Sequence, residues 1–127
     1  MKLRIKDNSL RFRLLRSEVE ALAASGRIEA YTLLGLTNQA DRISYAVEHD
    51  DRYQMIGAAR VGDEIRVTVP TREVLEWAQG EAIGLYGEQP VYGTQTLTIV
   101  IEKDFACIDR DDADNSDTFE NPNAVAC

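Results

Sequence analysis

The residues best suited to chemistry are basic side chains near the start of the chain. The first sixteen residues carry six basic side chains against a single acid, Asp7. Five of them alternate with apolar residues along two short segments separated by Asp7-Asn8. Both separating residues favour turns, so the segments are predicted to form a β-hairpin. Since side chains alternate across a strand, one hairpin face collects these five cations: Lys2, Arg4, Lys6, Arg11 and Arg13.

A face of this kind suits a small anionic or phosphorylated ligand, because guanidinium groups match phosphate and carboxylate geometry. A two-residue loop would pair Arg4 with Arg11, and like charges directly across a strand pair repel. We therefore expect acids nearby, and Glu102 and Asp104 on a long C-terminal strand are the candidates. The alternative is a solvated face with ordinary salt bridges, worth about 0–1 kcal/mol each.

Two other functions use the same residues. In a metal-dependent phosphohydrolase, Glu102 and Asp104 would hold a metal inside a charged open barrel. In a structural protein, the basic hairpin would clamp the acidic C-terminal segment of its own chain or of a neighbour. No catalytic or cofactor motif stands out, so we favour a non-enzymatic binding module and expect no cofactor.

The acidic residues near the C-terminus only partly match a calcium-binding loop. Asp109, Asp111 and Asp114 approximate the ligand spacing, with Glu120 at the twelfth position. Ala113 occupies a ligand position, however, and Asp114 stands where the turn glycine belongs. The segment is therefore predicted to be an acidic tail that is solvated or docked on the basic hairpin.

The two cysteines and the single histidine have no metal-site spacing. Cys107, Cys127 and His49 form neither a CxxC nor a CxxH pattern. Free thiols are the default expectation in a reducing compartment. His49 lies within residues 48–51, which are predicted to be a solvated turn rather than an acid–base cluster.

Composition indicates one globular domain. The 127 residues are 44% hydrophobic and 28% charged, and the net charge is −8. This charge argues against nucleic acid or an anionic membrane as a partner. No uninterrupted apolar stretch resembles a secretory signal or a membrane span, so a cytoplasmic location is expected. The oligomeric state stays open.

Helix and strand signals alternate along the rest of the chain. Ser17 and Glu20 form a predicted capping box for a helix that ends at Gly26. A second short helix is predicted from a Thr71 cap to Gly80, followed by a glycine-rich loop over residues 80–93. Strands are predicted at residues 27–33, 42–49, 53–59, 64–69 and 95–108.

These elements predict an α+β fold, with a mostly antiparallel sheet or open barrel of about six or seven strands and two short helices. Residues 1–108 are expected to form the single domain. Residues 109–127 are expected to be an acidic tail packed on it or extending from it. No internal repeat is recognisable in the sequence.

Several segments resemble a family of short bacterial proteins of unknown function. They are residues 2–6 (KLRIK), 8–11 (NSLR), 17–19 (SEV), 101–107 (IEKDFAC) and 117–122 (DTFENP). The resemblance covers nearly the whole chain and implies a stand-alone bacterial cytoplasmic protein. It implies no activity, substrate or catalytic residue.

Overall fold

A computed structural model of the chain describes residues 1–106 and 116–121. Ten helices and strands follow one another in this part of the chain. They are β1 (Lys2–Lys6), β2 (Ser9–Leu14), α1 (Arg16–Ser25), β3 (Arg27–Leu33), β4 (Arg42–Asp50), β5 (Gly57–Val61), β6 (Glu64–Pro70), α2 (Thr71–Gln79), β7 (Gly84–Pro90) and β8 (Thr96–Lys103).

The strands form two four-stranded sheets, which we call sheet A and sheet B. Sheet A has the order β1-β2-β8-β7 and sheet B the order β3-β4-β6-β5. In each sheet the two outer pairs are antiparallel and the central pair, β2–β8 or β4–β6, is parallel. The α+β class and the two helices are thus confirmed. The eight strands form two mixed sheets, however, and not the single sheet or barrel of about six or seven strands that was predicted. The parallel pairs join distant hairpins, which local sequence patterns do not reveal.

The N-terminal hairpin forms as the sequence predicts. Asp7 adopts a left-handed conformation, with φ of 48°, at the turn between β1 and β2. Leu3 pairs with Phe12 and Arg4 pairs with Arg11. The predicted hairpin register is confirmed, and it puts the apolar residues on one face and the cations on the other.

Strand β7 lies in the region predicted to be a loop, and this prediction is wrong. Glycines and a proline weaken the strand signal there, but among the described strands β7 lies at the edge of sheet A and pairs with β8. Gly87 is required for packing, because a Cβ at this position would lie 2.9 Å from the Cβ of Ile56. β8 also ends at Lys103, earlier than the predicted strand.

The helix starts differ from the sequence prediction. Glu18, rather than Glu20, closes the first turn of α1, because its Oε1 accepts the Leu15 N–H at 2.8 Å. Thr71 is the first residue of α2 and not its cap, which is Pro70. The predicted end of α1 is confirmed, since Gly26 is left-handed with φ of 87° and donates its N–H to a carbonyl of the last turn.

One apolar core joins both sheets and both helices. Phe12 of sheet A contacts Tyr45 of sheet B, with ring centroids 6.3 Å apart. Leu22 of α1 and Trp77 of α2 are buried in the same cluster. The apolar faces of the sheets therefore face each other, and their charged faces point away from the core.

The second half of the chain repeats the order of the first, β-β-α-β-β. Each of the first three elements starts 55 residues before its counterpart, as in Lys2 and Gly57, or Arg16 and Thr71. Exchanging the halves converts the strand order of sheet A into that of sheet B. The structure thus contains a repeat that the sequence conceals, because few side chains match between the halves.

Candidate functional site

The five predicted ligand-binding cations lie on the outer side of the N-terminal hairpin, which we call the basic face. Cross-strand pairing puts Lys2 beside Arg13, and Arg4 beside Arg11. These four residues and Leu3 line a shallow cavity of about 160 Å³. Lys6 stands at the turn end of the hairpin. The structure therefore brings together four of the five predicted residues around one depression.

Acids on the neighbouring strand balance part of this charge. Glu102 of β8 accepts a hydrogen bond from Arg13 Nε at 3.1 Å, and Arg11 Nη1 lies 3.8 Å from the same oxygen. Lys2 Nζ lies 3.5 Å from Asp104 Oδ2. The expected meeting of these acids with the hairpin cations is confirmed.

Arg4 and Lys6 are less constrained than the other cations. Both side chains are exposed on the edge strand β1. Within residues 1–106 and 116–121, neither takes part in a salt bridge. These two cations are available to an incoming anion without breaking an ion pair of the described structure.

The metal hypothesis gains no support from the geometry. No group of three or more histidine, cysteine, aspartate or glutamate side chains that could hold a metal occurs in the described residues. Glu102 faces two arginines, and Asp104 is only 3% exposed beside Lys2. The expected charged barrel interior is also wrong, because apolar side chains fill the space between the sheets. Glu102 and Asp104 as metal ligands stay a prediction.

A second charged cluster, which the sequence analysis missed, lies on the outer face of sheet B. Glu64 is 7% exposed and forms ion pairs with Arg27 and Arg66. Arg27 also donates to Glu48 at 3.0 Å. Burial alone would raise the pKa of Glu64, but hydrogen bonds from the two arginines outweigh it and lower the pKa. Hydrogen bonding to Glu64 is the main reason that the pKa of Arg27 is raised.

The two sheets share an arginine–glutamate pair but differ in the charge of their edge strands β1 and β5. Arg11 lies 3.8 Å from Glu102 in sheet A, and its counterpart Arg66 lies 4.0 Å from Glu48 in sheet B. The cations of β1 have no such equivalents. Glycine, alanine and valine occupy the corresponding positions of β5: Gly57, Ala59 and Val61.

The described part of the C-terminal segment docks away from the basic face. Asp117 accepts the Ser17 N–H at 3.1 Å and also the Ser17 hydroxyl, at the start of α1. Phe119 pairs with Phe105 beyond the end of β8. Phe119 thereby anchors this part of the segment on the folded domain. Val125, Asp109–Asp114 and both cysteines lie outside the described residues.

His49 has a structural role within the fold and is not part of a solvated turn. It belongs to β4 and is half-buried. Its Nε2 donates to the Leu22 carbonyl at 2.9 Å, and its Nδ1 lies 2.9 Å from the Thr71 hydroxyl. His49 therefore ties a strand of sheet B to both helices.

The structure defines a class of protein: an α+β domain of two mixed sheets with a basic face on one of them. The chain belongs to a family of unknown function, DUF7009, whose profile matches residues 1–123. The resemblance to a family of unknown function is thereby confirmed. Searches of curated proteins and of solved structures gave no match. Within residues 1–106 and 116–121, no helix is long and apolar enough to cross a membrane.

Proposed function

We propose that this protein binds a small anionic or phosphorylated ligand on the basic face. The observation that carries the proposal is the difference between the halves. The fold builds the edge strand of sheet B with Gly57, Ala59 and Val61 where sheet A has Lys2, Arg4 and Lys6. Cations at these positions are therefore not needed to form the strand, and they repel across the pair with β2.

The dimensions of the depression favour one anionic group. Its volume of about 160 Å³ is below the roughly 300–1,000 Å³ of pockets that enclose whole ligands. A phosphate or carboxylate would enter between Arg4 and Arg11, and the rest of the ligand would lie over the strands. Arg13 lies closer to Glu102 than Arg11 does, so Arg13 would remain paired with Glu102.

The anion must be recognised locally. The net charge of −8 repels anions at long range, so affinity depends on close, charge-assisted hydrogen bonds. Extended polyanions would meet the negative remainder of the surface. We accordingly propose a small ligand, no nucleic acid or membrane partner, and a cytoplasmic location.

Calorimetric titration with inorganic phosphate and with pyrophosphate tests the proposal. The Arg4→Ala/Arg11→Ala variant should bind pyrophosphate at least about tenfold more weakly than the wild type, since two charged hydrogen bonds are lost. Arg52→Ala/Arg72→Ala is the matched control, because it removes two exposed arginines elsewhere and changes the net charge equally. Equal affinities for all three proteins, or no binding by the wild type, would contradict the proposal.

A further inference from the structure

The repeat relates two places where the end of a strand meets the start of a helix. Different residues occupy these two strand–helix junctions. His49 near the end of β4 corresponds to Lys103 at the end of β8, because they pair with the equivalent residues Val69 and Leu14. At the first junction, His49 lies within hydrogen-bonding distance of Thr71, the first residue of α2. The counterpart of Thr71 is Arg16, so the second junction brings together two cations.

The second junction borders a cavity. The Phe119 ring lies against both cations, with Arg16 Cζ and Lys103 Nζ each 5.3 Å from its centroid. A cavity of about 460 Å³ remains beside them, and Glu81 and Glu120 complete its charged lining. This volume lies within the range of small-molecule pockets.

Lys103 is the unusual residue of this cavity. It is only 6% exposed, and its Nζ donates to the Gly80 carbonyl at 2.9 Å and lies 5.9 Å from the Trp77 ring centre. Burial lowers the pKa of Lys103, and the opposing charge of Glu81 offsets only part of that effect. A larger fraction of the amine is therefore uncharged, and uncharged amines are nucleophiles.

We propose that Lys103 forms an imine with a small aldehyde or ketone that carries an anionic group, and that Arg16 pairs with that group. The Lys103 amine adds to the carbonyl carbon to give a carbinolamine. Loss of one water molecule then leaves a C=N bond, and no oxidant or reductant takes part. Glu81 and Glu120 are the carboxylates on the cavity wall that could transfer the protons of the dehydration.

The fold does not require a lysine at this position, although Lys103 makes a hydrogen bond and two ring contacts there. The equivalent position in the first half is occupied by His49, which hydrogen-bonds to the Leu22 carbonyl and lies within hydrogen-bonding distance of the Thr71 hydroxyl. A buried amine also costs stability as long as it is charged. A chemical use for the amine accounts for both the lysine and the cavity beside it.

Reductive trapping tests the imine. The folded protein is treated at neutral pH with glyoxylate and cyanoborohydride, and modification is located by peptide mass spectrometry. The chain has three lysines, Lys2, Lys6 and Lys103, so each is an internal standard for the others. We expect Lys103 to be modified several-fold faster than the two exposed lysines, because a larger fraction of its amine is uncharged at neutral pH.

A comparison of glyoxylate with a neutral aldehyde tests whether Arg16 binds the anionic group. Arg16→Gln should slow the modification of Lys103 by glyoxylate but not by propionaldehyde, which has no anionic group for the arginine to bind. If Lys103 is the slowest of the three lysines, as burial alone predicts, the imine proposal is wrong. If Lys103 reacts quickly with both aldehydes whether or not Arg16 is present, the anionic class of ligand is wrong. Either failure leaves the anion proposal for the basic face untouched, because that proposal uses different residues.

Discussion

At the residue scale, the comparison of Arg4 with Ala59 shows that this strand position does not need a cation. The two residues occupy equivalent positions in edge strands, opposite the equivalent arginines Arg11 and Arg66. Each of these arginines lies near a glutamate of the central parallel pair. The arginine–glutamate pair is thus common to both sheets, whereas the cation at position 4 belongs to one.

Glu64 gives a pH-dependent contribution to stability. Its pKa is lowered in the folded protein, so its stabilisation is present above the ordinary value of 4.5 and is lost as the pH falls through the folded pKa. Glu64→Gln should reduce the free energy of unfolding by about 1–3 kcal/mol at neutral pH, because charged hydrogen bonds to Arg27 and Arg66 are lost. The difference from the wild type should shrink well below pH 4.5. Urea denaturation at both pH values measures it.

Glu29 provides the matched control for this substitution. It also pairs with Arg27, at 2.9 Å, but its side chain is 64% exposed. Glu29→Gln should therefore change stability by less than about 1 kcal/mol, as is usual for exposed pairs. Equal effects of the two substitutions would show that the burial of Glu64 is unimportant.

At the element scale, helix α1 takes part of its N-terminal support from a distant segment. Arg16 donates its backbone N–H to the Asp117 carbonyl at 2.9 Å, and the Asp117 carboxylate accepts the next N–H, from Ser17. The carboxylate also lies at the positive end of the helix dipole. Residues 116–121 are thereby held against the folded domain by hydrogen bonds as well as by Phe119.

Removing this cap should destabilise the protein. Asp117→Ala should reduce the free energy of unfolding by about 1 kcal/mol, the usual effect of losing an N-terminal cap. Asp117→Asn should retain most of it, because an amide oxygen also accepts the Ser17 N–H. Thermal unfolding at low and at high salt measures both variants. A loss with Asp117→Ala that vanishes at high salt would instead show that the carboxylate acts through its charge and not as a hydrogen-bond acceptor.

Local patterns account for the elements that were predicted and for those that were missed. The alternation around Asp7-Asn8 gives the register of the N-terminal hairpin, and from it the basic face. Strand β7 was missed because Gly87 and Pro90 obscure its pattern, although an edge strand tolerates both. The cavity at Lys103 depends on a neighbour, Phe119, that only the folded chain brings to it.

At the scale of the whole molecule, the two halves are interleaved. Strand β2 of the first half pairs with β8 of the second, and β4 of the first pairs with β6 of the second. Neither half contains a complete sheet. The parallel pairing could not be predicted from local sequence patterns, because it joins strands that lie far apart in the chain.

Dividing the chain between the halves should therefore abolish folding of each fragment. We expect fragments 1–54 and 55–127 to be unfolded separately and to form a heterodimer with native-like secondary structure when mixed. Circular dichroism of each fragment and of the mixture measures this. A fragment that folds cooperatively alone would contradict the interleaved arrangement. The full chain cleaved at the same connection after folding is the matched control, because it has the same break without separate refolding of the fragments.

The parallel pairing of the first hairpin with the last strand also sets an order of assembly on the ribosome. Every strand of sheet B lies within residues 27–70, so that sheet can form while the remainder of the chain is still being translated. The basic hairpin emerges before all other strands, yet β8, which supplies Glu102, emerges after them. Throughout that interval the nascent chain displays five cations without their acidic neighbour, and the β2 edge of its hairpin stays unpaired. The first hairpin of the described fold is thus among the last of its elements to be paired on both sides.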